Sequence, residues 1–187
     1  MKKIKLAFVG LTHLGLNYLA ASAQKNFSVI GIDTDNKKVI KLNNDIIEYE
    51  EPNLKKLILK NKKNIIFSND LKKLKKSNLI FISQDVKTNA NDKSDLKNLR
   101  ILINKTIKHL NKNSILVGIA SGRAGNIMGL DQFTTVLNHL KMEVLSNKVL
   151  LSQVDKLIGE NDELNEKSIL KIINNQLESM IDIFNLK

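Results

Sequence analysis

Ile4-Lys5-Leu6-Ala7-Phe8-Val9-Gly10-Leu11-Thr12-His13-Leu14-Gly15-Leu16 is the stretch on which the reading of this chain turns. A short apolar run is followed at once by glycine, and the apolar spacing after it changes from strand-like to helical as far as about Gln24. A buried strand, a glycine turn and an immediate helix bring unpaired backbone N–H groups and the positive end of a helix dipole to one point. That arrangement suits a pyrophosphate. A second apolar run, Phe27-Ser28-Val29-Ile30-Gly31-Ile32, ends in Asp33, where a carboxylate would accept hydrogen bonds from the ribose hydroxyls of a dinucleotide. The candidate cofactor-binding residues here are Gly10, Leu11, Thr12, His13, Leu14, Gly15 and Asp33.

The pattern G-x-G-x-x-G is broken at its middle glycine, which is Thr12. A glycine there lets the backbone approach the pyrophosphate without a Cβ in the way. The threonine either weakens that approach or offers its hydroxyl to a phosphate. The competing reading is that Gly10 and Gly15 serve only a tight turn and close helix packing in a nonbinding α/β domain.

Strand and helix patterns alternate along the chain. Strands are expected near 4–9, 28–32, 64–67, 79–83, 115–120 and 143–151, and helices near 14–24, 36–43, 53–61, 70–76, 95–110, 129–140 and 166–184. Continuous apolar strands such as Leu79-Ile80-Phe81-Ile82 suit a sheet covered on both faces. The expectation is one Rossmann-like domain over 1–187, an α/β/α three-layer structure with a doubly wound parallel sheet in the order 3-2-1-4-5-6. Its binding residues belong at the carboxyl ends of the strands, which adds 84–88 and 121–125 as candidate loops. The last helix carries Ile169, Ile172, Ile173, Leu177, Met180, Ile181 and Phe184 on one stripe, read as a core face, with a homodimer face as the minority reading.

Composition removes several classes of function. The chain has 187 residues and no cysteine, so disulfides, thiolate metal sites and thiol nucleophiles within it are excluded, and a reducing, cytoplasmic setting is expected. The net charge is +11, but the only arginines are Arg100 and Arg123, aromatics make up 4%, and the lysines are spread along helices and turns. Nucleic-acid binding is therefore not expected. The lysines near the N-terminus and Ala21-Ser22-Ala23 imitate a signal peptide, yet Thr12, His13 and Asn17 interrupt the apolar segment. No apolar run is long enough to span a bilayer. His13, His109 and His139 have no metal-ligand spacing, and neither Asp131 nor Asp155 has a second group to pair with in acid/base work. No metal site and no catalytic residue is assigned.

Further landmarks follow the glycine turn in order: Gly31-Ile32-Asp33, then Lys38-Val39 and Lys41-Leu42-Asn43, then Glu51-Pro52-Asn53-Leu54 opening a helix, then Leu79-Ile80-Phe81-Ile82 before a polar loop. With them, residues 1–113 resemble the NAD-binding N-terminal domain of the UDP-glucose/GDP-mannose (nucleotide-sugar) dehydrogenase family. The resemblance implies NAD as cofactor, with Asp33 at the adenosine ribose and Lys38 near the same end. Where that family carries Thr-Pro-Thr, this chain reads Val86-Lys87-Thr88, so only Thr88 carries over. The family oxidises its sugar through a thioester on an essential cysteine, a nucleophile that these residues do not contain.

From about Ile115 the residues change character. Ser121-Gly122-Arg123-Ala124-Gly125, Gly129-Leu130-Asp131-Gln132-Phe133 and Val144-Leu145-Ser146-Asn147 resemble the C-terminal half of NAD(P)H-dependent FMN reductases, which are flavodoxin-like. This resemblance over 114–187 implies that Ser121, Gly122 and Arg123 lie against a flavin, although the phosphate loop of that family is replaced by 10–15. Three readings result: an NAD-binding oxidoreductase-type domain related to nucleotide-sugar dehydrogenases, an FMN reductase, and a noncatalytic nucleotide-binding module.

Overall fold

The computed structural model describes residues 4–85, 87–88, 94–119, 127–139, 142, 144–145 and 167–185. Its strands are Lys5–Val9 (β1), Ser28–Ile32 (β2), Ile65–Ser68 (β3), Leu79–Ile82 (β4), Lys87–Thr88 (β5), Ser94–Asp95 (β6) and Ile115–Gly118 (β7). The helices are His13–Gln24 (α1), Asn36–Asn43 (α2), Leu54–Lys60 (α3), Lys97–Ile107 (α4), Ile127–His139 (α5) and Lys167–Asn185 (α6). The main sheet is parallel throughout, in the order β3-β2-β1-β4-β7. This is the expected Rossmann-like α/β order, with β7 in the fifth place. The sixth strand expected at 143–151 lies outside the described residues except for Val144 and Leu145, which are in no strand.

Two compact units divide the chain, Met1–Ile119 and Ala120–Lys187. In the first, strand register decides which side chains share a face. Leu6, Val29, Ile65 and Leu79 lie in one row, and Phe8, Gly31, Phe67 and Phe81 in the next. The rings of Phe8 and Phe81 stack with centroids 4.9 Å apart. α1 buries Gly15, Leu16, Leu19, Ala20 and Ala23, an i, i+4 stripe that joins Leu6, Phe8 and Val29 in one core with Leu42, Leu54 and Ile58 of α2 and α3. A Cβ on Gly31 would come within 2.9 Å of Leu11, Leu19 and Phe67. The bare strand there is what lets the helix lie this close.

Three local outcomes differ from the sequence reading. The helix expected near 70–76 is a 3₁₀ segment, Leu71–Lys76, because only Leu74 anchors it in the core and lysines fill most of the rest. β3 is an edge strand, so Ile66 is 56% exposed despite the continuous apolar run. The antiparallel pair β5–β6 was not expected, since two residues per strand are too few to carry a periodicity.

In the second unit, α6 splits its apolar stripe: Ile169, Ile173 and Met180 are half-buried, while Ile172, Leu177 and Ile181 are exposed. It is not a fully buried core face. No helix among the described residues is long and apolar enough to cross a membrane.

α4 buries Leu102, Ile103 and Thr106, and the Thr106 hydroxyl has no hydrogen-bond partner among the described residues. A buried polar group left unmade costs about 1–3 kcal/mol. Thr106→Val keeps the branching and removes the hydroxyl, so it is expected to raise the free energy of unfolding by about 1 kcal/mol, read from equilibrium denaturation.

Candidate functional site

The carboxyl ends of β1, β2 and β4 meet beside the start of α1. Gly10 leaves β1 at φ +91°, a backbone conformation open to glycine, and its N–H donates to the Ile32 carbonyl at 2.9 Å. A Cβ there would also stand 2.9 Å from the Gln84 backbone. Gly15 is tighter still, for a Cβ would fall 2.4 Å from the Gly10 carbonyl oxygen and 2.5 Å from Ser83 Oγ. The turn therefore needs both glycines, each for its own steric reason.

Thr12 caps α1 in an extended conformation, φ −77° and ψ 179°, which any residue adopts. Its side chain is turned inward and buried. The hydroxyl donates to the Ser83 carbonyl at 2.7 Å and accepts a long 3.5 Å contact from the Gly15 N–H. The structure thus occupies the threonine hydroxyl within the fold, where the sequence left open a bond to phosphate. The backbone N–H groups of Thr12, His13 and Leu14 have no partner among the described residues. These three donors stand at the start of a twelve-residue helix, where its dipole is positive.

Asp33 follows β2 and is buried to 8% side-chain exposure. Its Oδ2 accepts from the Leu11 N–H at 2.9 Å and from Lys38 Nζ at 3.0 Å, and its Oδ1 accepts from the Asp35 N–H at 2.9 Å. A carboxylate has about four acceptor positions. Three are in use, which leaves one open. Lys38 stands early in α2, whose N-cap Asp35 accepts from the Lys37 and Lys38 N–H groups. Burial opposes its charge, but the hydrogen bond and attraction of Asp33, helped by Tyr49 and Asp35, hold its pKa above the ordinary 10.5.

His13 lies in the first turn of α1, with Nδ1 3.8 Å from an Asp85 carboxylate oxygen and its ring centroid 6.4 Å from that of Tyr49. Leu14 is half-buried beside it. Thr88 is in β5, paired with Ser94, in the small hairpin beyond the loop that leaves β4. Ser121, Gly122 and Arg123 lie outside the described residues. The structure thus brings 10–15, Asp33 and Lys38 to one end of the sheet, and it adds Ser83, buried at the end of β4, which the sequence reading missed. A serine closing an apolar strand next to the switch point was the available signal. A depression of about 520 Å³ on α3, lined by Glu51, Asn53, Lys55, Lys56 and Leu59, includes none of these residues.

The sequence profile of the UDP-glucose/GDP-mannose dehydrogenase family, NAD binding domain, matches residues 4–175. The chain belongs to this family. The match runs well past Ile115, where the sequence reading expects the dehydrogenase resemblance to stop, and crosses most of the stretch that resembles FMN reductases. Solved dehydrogenases of nucleotide sugars share the fold. UDP-D-ManNAc dehydrogenase from Pyrococcus horikoshii is 17% identical with a TM-score of 0.63, covering 75% of this chain and 34% of its own. UDP-N-acetyl-mannosamine dehydrogenase from Staphylococcus aureus is 20% identical with a TM-score of 0.61, over 75% and 34%. GDP-mannose dehydrogenase from Pseudomonas aeruginosa is 19% identical with a TM-score of 0.58, over 71% and 32%. This member of the family spans about a third of the length of those structures. No curated protein gives a significant match.

The Lys38–Asp33 pair gives this nucleotide-sugar dehydrogenase-type domain a stability term with a defined pH window. Because the folded pKa of Lys38 is raised, the term is fully present below the unfolded value of 10.5 and is lost as pH climbs through the higher folded value. The stability difference between wild type and Lys38→Met is expected to stay constant from neutral pH to about 10 and to close above it, measured by urea unfolding across pH.

Proposed function

We propose that this domain binds NAD, with the pyrophosphate over the N-terminus of α1 and the adenosine ribose against Asp33, and that its residues position the cofactor and carry out no covalent step. The observation that carries the reading is the set of N–H groups on Thr12, His13 and Leu14 with no partner among the described residues, directly after Leu11, whose N–H donates to a buried carboxylate that keeps one acceptor position open. Gly10 and Gly15 allow the backbone to come close, Leu11 ties the turn to Asp33, and Lys38 neutralises that carboxylate in the absence of ligand. Thr88 is assigned to the cofactor site on the family resemblance. Bound NAD would supply the hydride acceptor for oxidation of an alcohol.

These 187 residues contain no cysteine, so a thioester route to a sugar acid needs a nucleophile from outside them. A flavin reading for 121–123 is not carried forward, because the family match crosses those residues and they lie outside the described ones.

Calorimetric titration tests the assignment. NAD is expected to bind more tightly than NADP, since the carboxylate repels a 2′-phosphate and Lys38 is engaged with it. Asp33→Ala is expected to weaken NAD by about tenfold to a hundredfold, the loss of a hydrogen bond to a charged group. Equal affinity of wild type and variant would remove Asp33 from the site. The protein with NAD and UDP-glucose is expected to give no sustained NADH formation.

A further inference from the structure

We infer that Thr12 and Ser83 form a two-hydroxyl clasp that takes over the positioning work of the missing middle glycine, so that NAD affinity depends on two side chains that do not touch NAD. The inference rests on the dinucleotide reading above and concerns how the turn is held.

A residue with a Cβ at position 12 is tolerated in the backbone, whose φ of −77° is ordinary for any L-residue. The side chain is directed into the protein, where it is 4% exposed. There the Thr12 hydroxyl donates to the main-chain carbonyl of Ser83 at 2.7 Å. The Ser83 hydroxyl, on a residue 1% exposed, donates the other way across the same gap, to the Gly10 carbonyl at 2.7 Å with Val9 O at 3.3 Å. The Ser83 N–H continues the sheet by donating to Val9 O at 2.9 Å. The end of β4 therefore grips the turn at residue 10 and at residue 12, one bond from each partner. Gly15 lies against the same knot, since a Cβ on it would strike both Gly10 O and Ser83 Oγ.

The clasp uses the carbonyl of Gly10 and the hydroxyl of Thr12 but none of the N–H groups of residues 12–14. Those donors stay free for an anion, while the Gly10 carbonyl that precedes them and the Thr12 side chain among them are each held by a buried hydrogen bond. Holding donors in place before the ligand arrives removes ordering that binding would otherwise have to supply. Thr12 and Ser83 are positioning residues on this account. Where a glycine gains close approach by having no side chain, this turn keeps the side chain and anchors it on the inner side.

The test is NAD affinity by calorimetry, at a temperature where circular dichroism shows every variant folded, for wild type, Thr12→Gly, Thr12→Val, Thr12→Ser and Ser83→Ala. Thr12→Gly separates the accounts, since glycine is a good N-cap and should leave the fold in place. The clasp predicts that Thr12→Gly, Thr12→Val and Ser83→Ala each weaken NAD about tenfold. It also predicts that Thr12→Ser, which restores the hydroxyl, stays within about threefold of wild type. In the double variant Thr12→Val with Ser83→Ala, the loss should fall short of the product of the single losses, because both act on one turn. Tighter binding by Thr12→Gly overturns the inference and makes the threonine an obstruction. Unchanged affinity in all variants overturns it while leaving NAD binding in place. A wild type that does not bind NAD overturns the dinucleotide reading itself, and the clasp as a binding device with it.

Discussion

The approach of α1 to the end of β1 is the constraint on which the rest of the first unit depends. Gly15 passes so close to the Gly10 carbonyl and to Ser83 that no other side chain fits there. Once that contact is made, Leu16, Leu19, Ala20 and Ala23 are brought down on Leu6, Phe8 and Val29, and the space above Gly31 is filled by Leu11, Leu19 and Phe67. α2 and α3 then close the same face with Leu42, Leu54 and Ile58. The hydrophobic stabilisation is spread over many side chains, but its geometry is set where a helix begins against a strand's last carbonyl.

The polar groups at that end of the sheet are organised around two hubs. Asp33 gathers the Leu11 N–H, the Asp35 N–H and the Lys38 ammonium, so it is a structural carboxylate as well as a candidate ligand-binding one. Ser83 gathers Gly10 and Thr12. Between the hubs, three consecutive N–H groups have no partner among the described residues, at the positive end of a helix with no acidic residue in its first turn. Buried polar groups are ordinarily satisfied. Here the Thr12 hydroxyl, the Ser83 hydroxyl and both oxygens of Asp33 are committed to other partners and do not reach those donors.

Much of this is legible in the amino-acid sequence. The alternation of apolar strands with helical patterns, the glycines at 10 and 15 and the acid closing the second strand determined a parallel, Rossmann-like sheet and put 10–15 and Asp33 at one end of it. These are local signals: period, turn chemistry and order along the chain suffice to read them. The sequence also determined that no thiol chemistry belongs to these residues.

Other features depended on residues far apart in sequence, and only the tertiary structure decided them. Whether Thr12 faces a ligand or the core depends on a carbonyl seventy-one positions away, at Ser83. Whether Asp33 is free depends on Leu11, twenty-two positions before it, and on how α2 carries Lys38 back toward it. The exposure of Ile66 follows from β3 lying at an edge, and the half-exposed stripe of α6 from what does and does not cover it. A one-dimensional pattern states which residues are apolar or can donate a hydrogen bond. Which partner each one finds is settled only when register and packing bring distant strands together, because hydrogen bonds and close contacts act over a few ångströms whatever the separation along the chain.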